Sequence, residues 1–452
     1  MTAGLPPGLK IAYYGDDFTG ASDTLATAAQ AGLRVLLFTG VPTPAQLAAA
    51  GPLDVLGIAG TTRSLAPAAM APLLEEAGRF FATLHVPVVH YKVCSTFDSA
   101  PHLGSIGAAV EALLPHVEGG WVPVIGGQPN LGRYCLFGNL FASAGLGGAV
   151  HRIDRHPTMA RHPVTPMDEA DLRRHLARQG FDDMGLVPYP AYAAAPGVLE
   201  GLLAAQAGPS DGSPHGAARA WRSTLFDIAS PADLAVAGAQ VWSRALRARL
   251  LAVGPSSVVQ ALAGHWGCPL ESAPGTFAVA AADAPVFLLS GSLSPVTAAQ
   301  VAHAASFTRI ALAAARLASG DAAYLHQLRE AIVTHLGAGR HVLAFTAPAD
   351  GAGPTPDVSP TVLARACGTL LRAVLDRVPV RRVGVAGGDT SSYALGALDA
   401  WGLAYGGALS HGVPLCRLRS DAAHMDGVEI MLKGGQMGPP DLFETLVHGA
   451  RA

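Results

Sequence analysis

At 452 residues the chain is too long for one ordinary core, and a prior of ~100–200 residues per domain suggests two or three, with two the working number. Half of the residues are apolar, yet no apolar run reaches the ~18 residues that span a bilayer, and a formal charge of −3 without a basic cluster leaves no footprint for nucleic acid. The start, MTAGLPPGLK, lacks a secretory pattern, and five scattered cysteines without C-x-x-C argue against a disulfide framework or a structural zinc site, so a soluble, reduced, cytoplasmic protein is expected.

The first predicted strand, Ile11 to Tyr14, runs into Gly15, Asp16, Asp17 and Thr19-Gly20, after which Ala, Thr and Leu recur at helical spacing up to Gly32. Ligands of open α/β sheets gather at the carboxyl ends of strands, so Asp16, Asp17 and Thr19 should face a crevice. Two readings stay open for the acids: capping the helix, or a general base aimed at a substrate hydroxyl.

Arg34 to Thr39 and Asp54 to Ala59 read as the next strands, the latter ending at Arg63, which is either a bidentate carboxylate clamp or a solvated loop residue. Val86 to Tyr91 exits into Lys92-Val93-Cys94-Ser95-Thr96-Phe97-Asp98-Ser99, a dense polar stretch. Trp121 to Ile125 enters GGQPNLGRYCLFGN, where Gly126, Gly127 and Pro129 rule out helix and Arg133 and Asn139 are the polar candidates. His151 to Met167 has no apolar period and reads as a long irregular segment; the spacing of His151, His156 and His162 fits no helical zinc pair. Tyr189 to Ala220 reads as a surface excursion, Trp221 to Ile228 as a strand, Pro231 to Leu251 as one helix, Ser256 to Gly264 as a short helix, and Cys268 to Ala284 as a boundary.

From Pro285 one pattern repeats. Val286 to Leu289 runs into Ser290-Gly291-Ser292-Leu293-Ser294 and a helix; Val383 to Ala386 runs into Gly387-Gly388-Asp389-Thr390 and a helix; Val428 to Leu432 ends in Lys433-Gly434-Gly435. Such loops let backbone amides and a helix dipole meet phosphate oxygens, although Gly and Ser also build ordinary turns. Pro348 to Pro360 reads as a flexible loop beside them. Lysine is rare: only Lys10, Lys92 and Lys433 among 30 basic residues. Lys92 and Lys433 stand at strand ends, where a compact ammonium suits phosphate or carboxylate.

Walker A and a post-strand G-x-G-x-x-G are absent, and no predicted strand turns into a helix through a G-x-S-x-G elbow. The expected architecture is α/β, with domains 1–270 and 285–452, each a largely parallel sheet flanked by helices, and a cleft between them. An acidic and cationic crevice plus a glycine-rich platform suits phosphoryl transfer to a small polar acceptor. The competing classes are a non-catalytic metabolite or nucleotide sensor and a sugar-acid dehydrogenase.

In order along nearly the whole chain, GDDFTGASDTL, GRYCLFGN, RHPVTPMDEADL, SGSLSPVTAAQ, AGGDTSSYAL and LKGGQMG resemble the four-carbon acid sugar kinases. The resemblance implies an N-terminal sugar-acid domain, a C-terminal nucleotide domain, and ATP-dependent phosphorylation of acids such as threonate, erythronate or 3-oxo-tetronate. By motif, ATP contacts fall on Ser290, Ser292, Gly387, Gly388, Asp389, Thr390, Gly434 and Gly435, with Asp389 meeting Mg²⁺ directly or through water. Substrate-side candidates are Asp16, Thr19, Arg63, Lys92, Ser95 and Arg133. Asp17 is the first choice for catalytic base and Asp98 the second. No nucleic acid or membrane partner is implied, and a homodimer is compatible with the sequence.

One departure matters. Where the family often carries Lys, one residue, Asp-Ser-Thr, one residue, Arg-Gly, this chain has Cys94 in place of the acid and Asp98 in place of the arginine. Reversed charge in a substrate loop should change which acid fits. That points to a variant acceptor, an oxo or branched sugar acid such as 3-oxo-isoapionate.

Overall fold

A computed structural model describes residues 4–145, 147–162, 164–195, 197–207, 221–269, 278–346 and 358–450. Parts of the Tyr189–Ala220 excursion, the Cys268–Ala284 boundary and the Pro348–Pro360 loop therefore lie outside the described residues. The chain divides into two compact units, Met1–Val35 with Thr43–Glu271, and Leu36–Pro42 with Ser272–Ala452. In chain order the strands are β1 (Ile11–Gly15), β2 (Val35–Phe38), β3 (Val55–Ala59), β4 (Val88–Lys92), β5 (Trp121–Gly126), β6 (Arg133–Leu136), β7 (Asn139–Ser143), β8 (Val150–Arg152), β9 (Gly185–Val187), β10 (Arg222–Asp227), β11 (Leu250–Gly254), β12 (Val286–Ser290), β13 (Phe307–Ala311), β14 (His341–Phe345), β15 (Arg382–Ala386), β16 (Gly402–Ser410), β17 (Val413–Arg419) and β18 (Glu429–Lys433).

The sheet of the first unit is parallel, in the order β3-β1-β4-β11-β5-β10-β9. Every residue of β1, β3, β4 and β11 is buried, as a parallel sheet covered on both faces requires. The single helix expected over Pro231 to Leu251 ends instead at Ala245, and its last residues open β11. Leu250-Leu251-Ala252-Val253 is a short apolar run that fits either period; pairing with β4 decides it. The glycine-rich stretch after β5 becomes an antiparallel sheet, β6-β7-β8, with Phe137 and Gly138 both at positive φ in its first turn. Two histidines of the irregular segment cap turns: His156 Nδ1 accepts from the amides of Thr158 and Met159, and His162 Nδ1 from that of Thr165.

In the second unit β13-β14-β12-β15-β18 are parallel, and β17, β16 and β2 continue the sheet antiparallel. Thus β2, from the N-terminal part of the sequence, completes the sheet of the second unit, with Leu37 opposite Leu403. The sequence reading did not anticipate the hairpin β16–β17, whose GLAYGGALS strand carries too few large apolar residues to give a clear alternation.

Both sheets reverse strand order about their first parallel strand. In one, β1 lies between β3 and β4; in the other, β12 lies between β14 and β15. Ligands of open α/β sheets bind outside the carboxyl ends at such reversals. Those ends carry Asp16, Asp17 and Lys92 in the first unit, and Ser290–Ser292 and Gly387–Thr390 in the second. Among the described residues no helix is long and apolar enough to cross a membrane.

Candidate functional site

In the first unit, β1 delivers Asp16 and Asp17 to the start of the helix Phe18–Gln30. Asp17 is its N-cap, with extended backbone; Oδ1 accepts from the Gly20 amide at 2.7 Å and Oδ2 from Arg63 Nη1 at 2.6 Å. Asp16 is buried and receives Arg63 Nε at 3.0 Å and Nη2 at 2.7 Å. The two acids and the arginine thus form one closed cluster. Burial pushes the Asp16 carboxyl up, with Asp17 adding to the rise and Arg63 opposing it. Burial also works against the charge of Arg63, yet the two carboxylates hold its pKa above the ordinary arginine value.

Lys92, at the end of β4, is 3% exposed, and its ammonium makes no hydrogen bond or ion pair with a described residue. Beyond it the loop turns through Phe97, buried at a φ of 55°. Cys94 Sγ lies 3.0 Å from Thr96 Oγ1, which donates to Asp98 Oδ1 at 2.5 Å. Ser99 Oγ anchors the loop to His175 Nε2 at 3.0 Å and Gln179 Nε2 at 2.8 Å. Burial, with Asp98 beside it, pushes the Cys94 thiol up to about 11. Asp98 is also desolvated, but Arg63 and the hydrogen bonds from Cys94 and Thr96 hold it below the usual carboxylate range. Ser95 is half-buried in the same loop.

Arg133, opening β6, donates through Nη1 to the Leu131 carbonyl, while its buried Nε has no partner among the described residues. Burial lowers its pKa; Cys94 and Asp23 act the other way, so both lie within electrostatic reach of it. The hydroxyl of Thr19 is buried without a partner among the described residues. Three polar residues that the sequence reading passed over join this region. Asp23 Oδ2 accepts from Ser256 Oγ at 2.5 Å and from Gln128 Nε2 at 3.3 Å, and Ser256 Oγ lies 2.9 Å from Thr24 Oγ1. Spacing held the signal for Asp23: it stands three residues after Gly20, on the same helical face. Ser256 and Gln128 follow strand ends β11 and β5 and could be placed only with the sheet order in hand.

In the second unit the ends of β12, β15 and β18 are adjacent, with Ser290 level with Ala386 and Ala386 level with Lys433. Their loops interlock. A Cβ on Gly291 would stand 2.2 Å from Thr390 Oγ1, and one on Gly435 would stand 2.7 Å from Ser292 Oγ. The Gly435 carbonyl accepts from Ser294 Oγ and, at 2.9 Å, from Thr297 Oγ1; Lys433 Nζ in turn donates to Thr297 Oγ1 at 3.0 Å. Lys433 is fully buried, and that burial lowers its pKa to about 8. Ser290 Oγ is buried without a partner among the described residues. Gly387 precedes the helix Gly388–Ala397, and Asp389 in its first turn is exposed, its carboxylate making no hydrogen bond or ion pair with a described residue. Ser290, Ser292, Gly387, Thr390 and Gly435 are therefore brought together, whereas Lys433 lies beneath the loops. Among the described residues no cluster of His, Cys, Asp and Glu could by itself hold a metal ion.

Residues 11–262 match the model of a sugar-binding N-terminal domain, and residues 287–443 that of a nucleotide-binding C-terminal domain. A 3-oxo-isoapionate kinase of Paraburkholderia graminis is 37% identical over 99% of this chain and 96% of its own length. A 3-oxo-tetronate kinase of Methylobacterium radiotolerans is 30% identical over 96% of this chain and 98% of its own. A crystal structure from Salmonella typhimurium LT2 shares the fold, with a TM-score of 0.75 and 24% identity over 96% of this chain and 98% of that one. Both halves, matched in order over almost the full length, show that the chain belongs to the four-carbon acid sugar kinase family.

Proposed function

We propose that the protein is an ATP-dependent kinase that transfers phosphate to a hydroxyl of an oxo or branched sugar acid, with 3-oxo-isoapionate the first acceptor to test and 3-oxo-tetronate the second. Lys92 carries this reading. A buried ammonium without a protein partner is costly unless an anion completes it, and Lys92 stands at the strand-order reversal of a sugar-binding domain. The unpartnered Nε of Arg133 and the orphaned hydroxyl of Thr19 add donors suited to a carboxylate and a polyol. Arg63 is committed to Asp16 and Asp17, so in this reading it shapes the pocket wall and leaves the acid to Lys92 and Arg133. The choice of acceptor rests on the identity to the Paraburkholderia kinase and on the Cys94 and Asp98 departure.

ATP fits the second unit by its donor set: small residues at three adjacent strand ends, a helix start, and the buried hydroxyl of Ser290. Mg²⁺ is satisfied by one or two carboxylates plus waters and phosphates, and Asp389, free and exposed, is the residue that would meet it. The test is ADP release with MgATP against 3-oxo-isoapionate, 3-oxo-tetronates and tetronates. Turnover highest on a branched or oxo acid is the expected result. ATP binding without turnover on any acid would favour a sensor, and nicotinamide reduction without ADP would favour a dehydrogenase.

A further inference from the structure

We infer that Asp23, and neither of the aspartates that open its helix, takes the proton from the acceptor hydroxyl; this rests on the kinase reading above and deepens it. A general base needs a free lone pair and no cation fixed on its carboxylate. Asp16 gives both oxygens to Arg63, and Asp17 gives one to Arg63 and the other to the Gly20 amide. Asp98 accepts from Thr96 at 2.5 Å and is held ionised by Arg63. Asp23 differs from all three. Its Oδ2 accepts only from neutral donors, Ser256 Oγ and Gln128 Nε2, and it forms no ion pair with a described residue. Its Oδ1 makes no hydrogen bond to a described residue.

Two further features place a ligand beside that free oxygen. Gly20 lies close under Lys92, since a Cβ there would stand 2.0 Å from Nζ, and Asp23 follows one turn on along the same helix face. Lys92 and Gln128 are 3% and 1% exposed, and both carry an atom with no partner: the Lys92 ammonium and Gln128 Oε1. Asp23 also lies within electrostatic reach of Arg133, whose buried Nε has no partner among the described residues. An acid whose carboxylate meets Lys92 and Arg133 thus offers its hydroxyls to Asp23, while Ser256, braced by Thr24, fixes the direction of the carboxylate.

In the step, the acceptor oxygen forms a bond to the γ-phosphorus of ATP as the bond from that phosphorus to the β,γ-bridging oxygen breaks. ADP leaves with the bond's electron pair, and the hydroxyl proton passes to Asp23 Oδ1 and then to water. The products are ADP, the phosphorylated acid and one proton.

The experiment compares kcat, KM and pH–rate profiles of the full chain with its Asp23→Asn, Asp23→Glu and Asp17→Asn variants, using the best acceptor of the panel. Asp23→Asn should lose about 10²–10⁴-fold in kcat, the usual worth of a general base. Its melting temperature and its calorimetric affinity for a non-hydrolysable ATP analogue should stay near the parent's. The acid limb of the kcat profile should vanish in Asp23→Asn, return in part in Asp23→Glu, and persist in Asp17→Asn. A purely structural role would not move that limb. Asp23→Asn turnover within about five-fold of the parent with the limb intact, or loss of the limb in Asp17→Asn instead, overturns the assignment while leaving the kinase reading standing. No ADP release by the parent chain with any acid overturns both.

Discussion

The ammonium of Lys92 occupies the space that a side chain at Gly20 would need: a Cβ there would stand 2.0 Å from Nζ and 2.5 Å from Asp17 Oδ1. The contact joins the end of β4 to the first turn of the helix Phe18–Gln30 and so fixes where the buried cation points. Gly20→Ala should push the ammonium aside. Small misplacements of a binding group cost roughly 10²-fold, so the acceptor KM should rise by one to two orders of magnitude while the KM for ATP is unchanged. Steady-state kinetics with each substrate varied in turn checks this, and an equal rise in both constants would count against it.

Arg63 closes a cluster of two adjacent carboxylates, and Arg63→Ala should be strongly destabilising. Removing one partner of a buried ionic group typically costs about 3–5 kcal/mol, and Asp16 and Asp17 would then face each other uncompensated. The pH dependence gives a second signature. Asp16 already has a raised folded-state pKa, and losing Arg63 removes the chief force that opposes the rise. A carboxyl whose folded pKa lies above its unfolded value binds more protons when folded, so its stability contribution grows as pH falls through that window. Arg63→Ala should therefore melt higher at pH 5 than at pH 8 and lie closer to the parent there, which thermal melts at the two values would show.

Much of this organisation was legible in the sequence because the signals were local. Strand, small or acidic turn and helix in immediate succession located the ends of β1, β12 and β15, and the rarity of lysine singled out Lys92 and Lys433. What escaped depends on distant pairing. Leu250 to Val253 could extend a helix or form a strand, and only β4 and β5 beside it decide the matter. Nothing near Val35 to Phe38 announces that this strand completes the sheet of the second unit through β16. At the candidate site, local sequence gave Asp17 two options, but the arginine that engages it arrives from 46 residues away. The case for Asp23 likewise needed Ser256, supplied from 233 residues along the chain.

Cys94 puts a neutral group in the loop after β4, and its surroundings keep it neutral. Its thiol is pushed up to about 11 by burial and by Asp98, so it stays protonated at neutral pH. The negative charge of the loop is then carried by Asp98 alone. Cys94→Asp would set a second carboxylate next to Asp98 and draw on the charge of Arg133. Like charges brought close in a desolvated site repel, and an arginine so engaged is less available to the substrate. An acceptor KM raised about ten-fold or more is expected, with a smaller change in kcat. Kinetics on the preferred acid and on a plain tetronate would also show whether the variant shifts preference toward the latter.

All three lysines of the chain are buried, and each has a different answer to its charge. Among the described residues Lys10 pairs with Asp54 at 2.7 Å, Lys92 has no hydrogen-bond or ion-pair partner, and Lys433 has a single hydroxyl, Thr297 Oγ1, and the ring of Phe443 at 5.8 Å. Burial lowers the Lys433 pKa from 10.5 to about 8. Because the unfolded chain binds more protons between these values, stability should rise with pH from 8 to 10.5, and the full penalty of about 3 kcal/mol applies below 8. Lys433→Met removes the charge and keeps the volume; after subtracting about 1 kcal/mol for the lost hydrogen bond, the variant should be more stable than the parent by about 2 kcal/mol near pH 7. That advantage should shrink as pH approaches 10. At the proposed nucleotide site the same change should weaken ATP binding, because the Gly435 turn loses the lysine that braces Thr297 beneath it. Denaturation curves at pH 7 and 9.5, paired with calorimetric titration of ATP, check both halves; a Lys433→Met protein that is less stable at pH 7, or that binds ATP as tightly as the parent, would show that the buried charge is not held in place for the nucleotide.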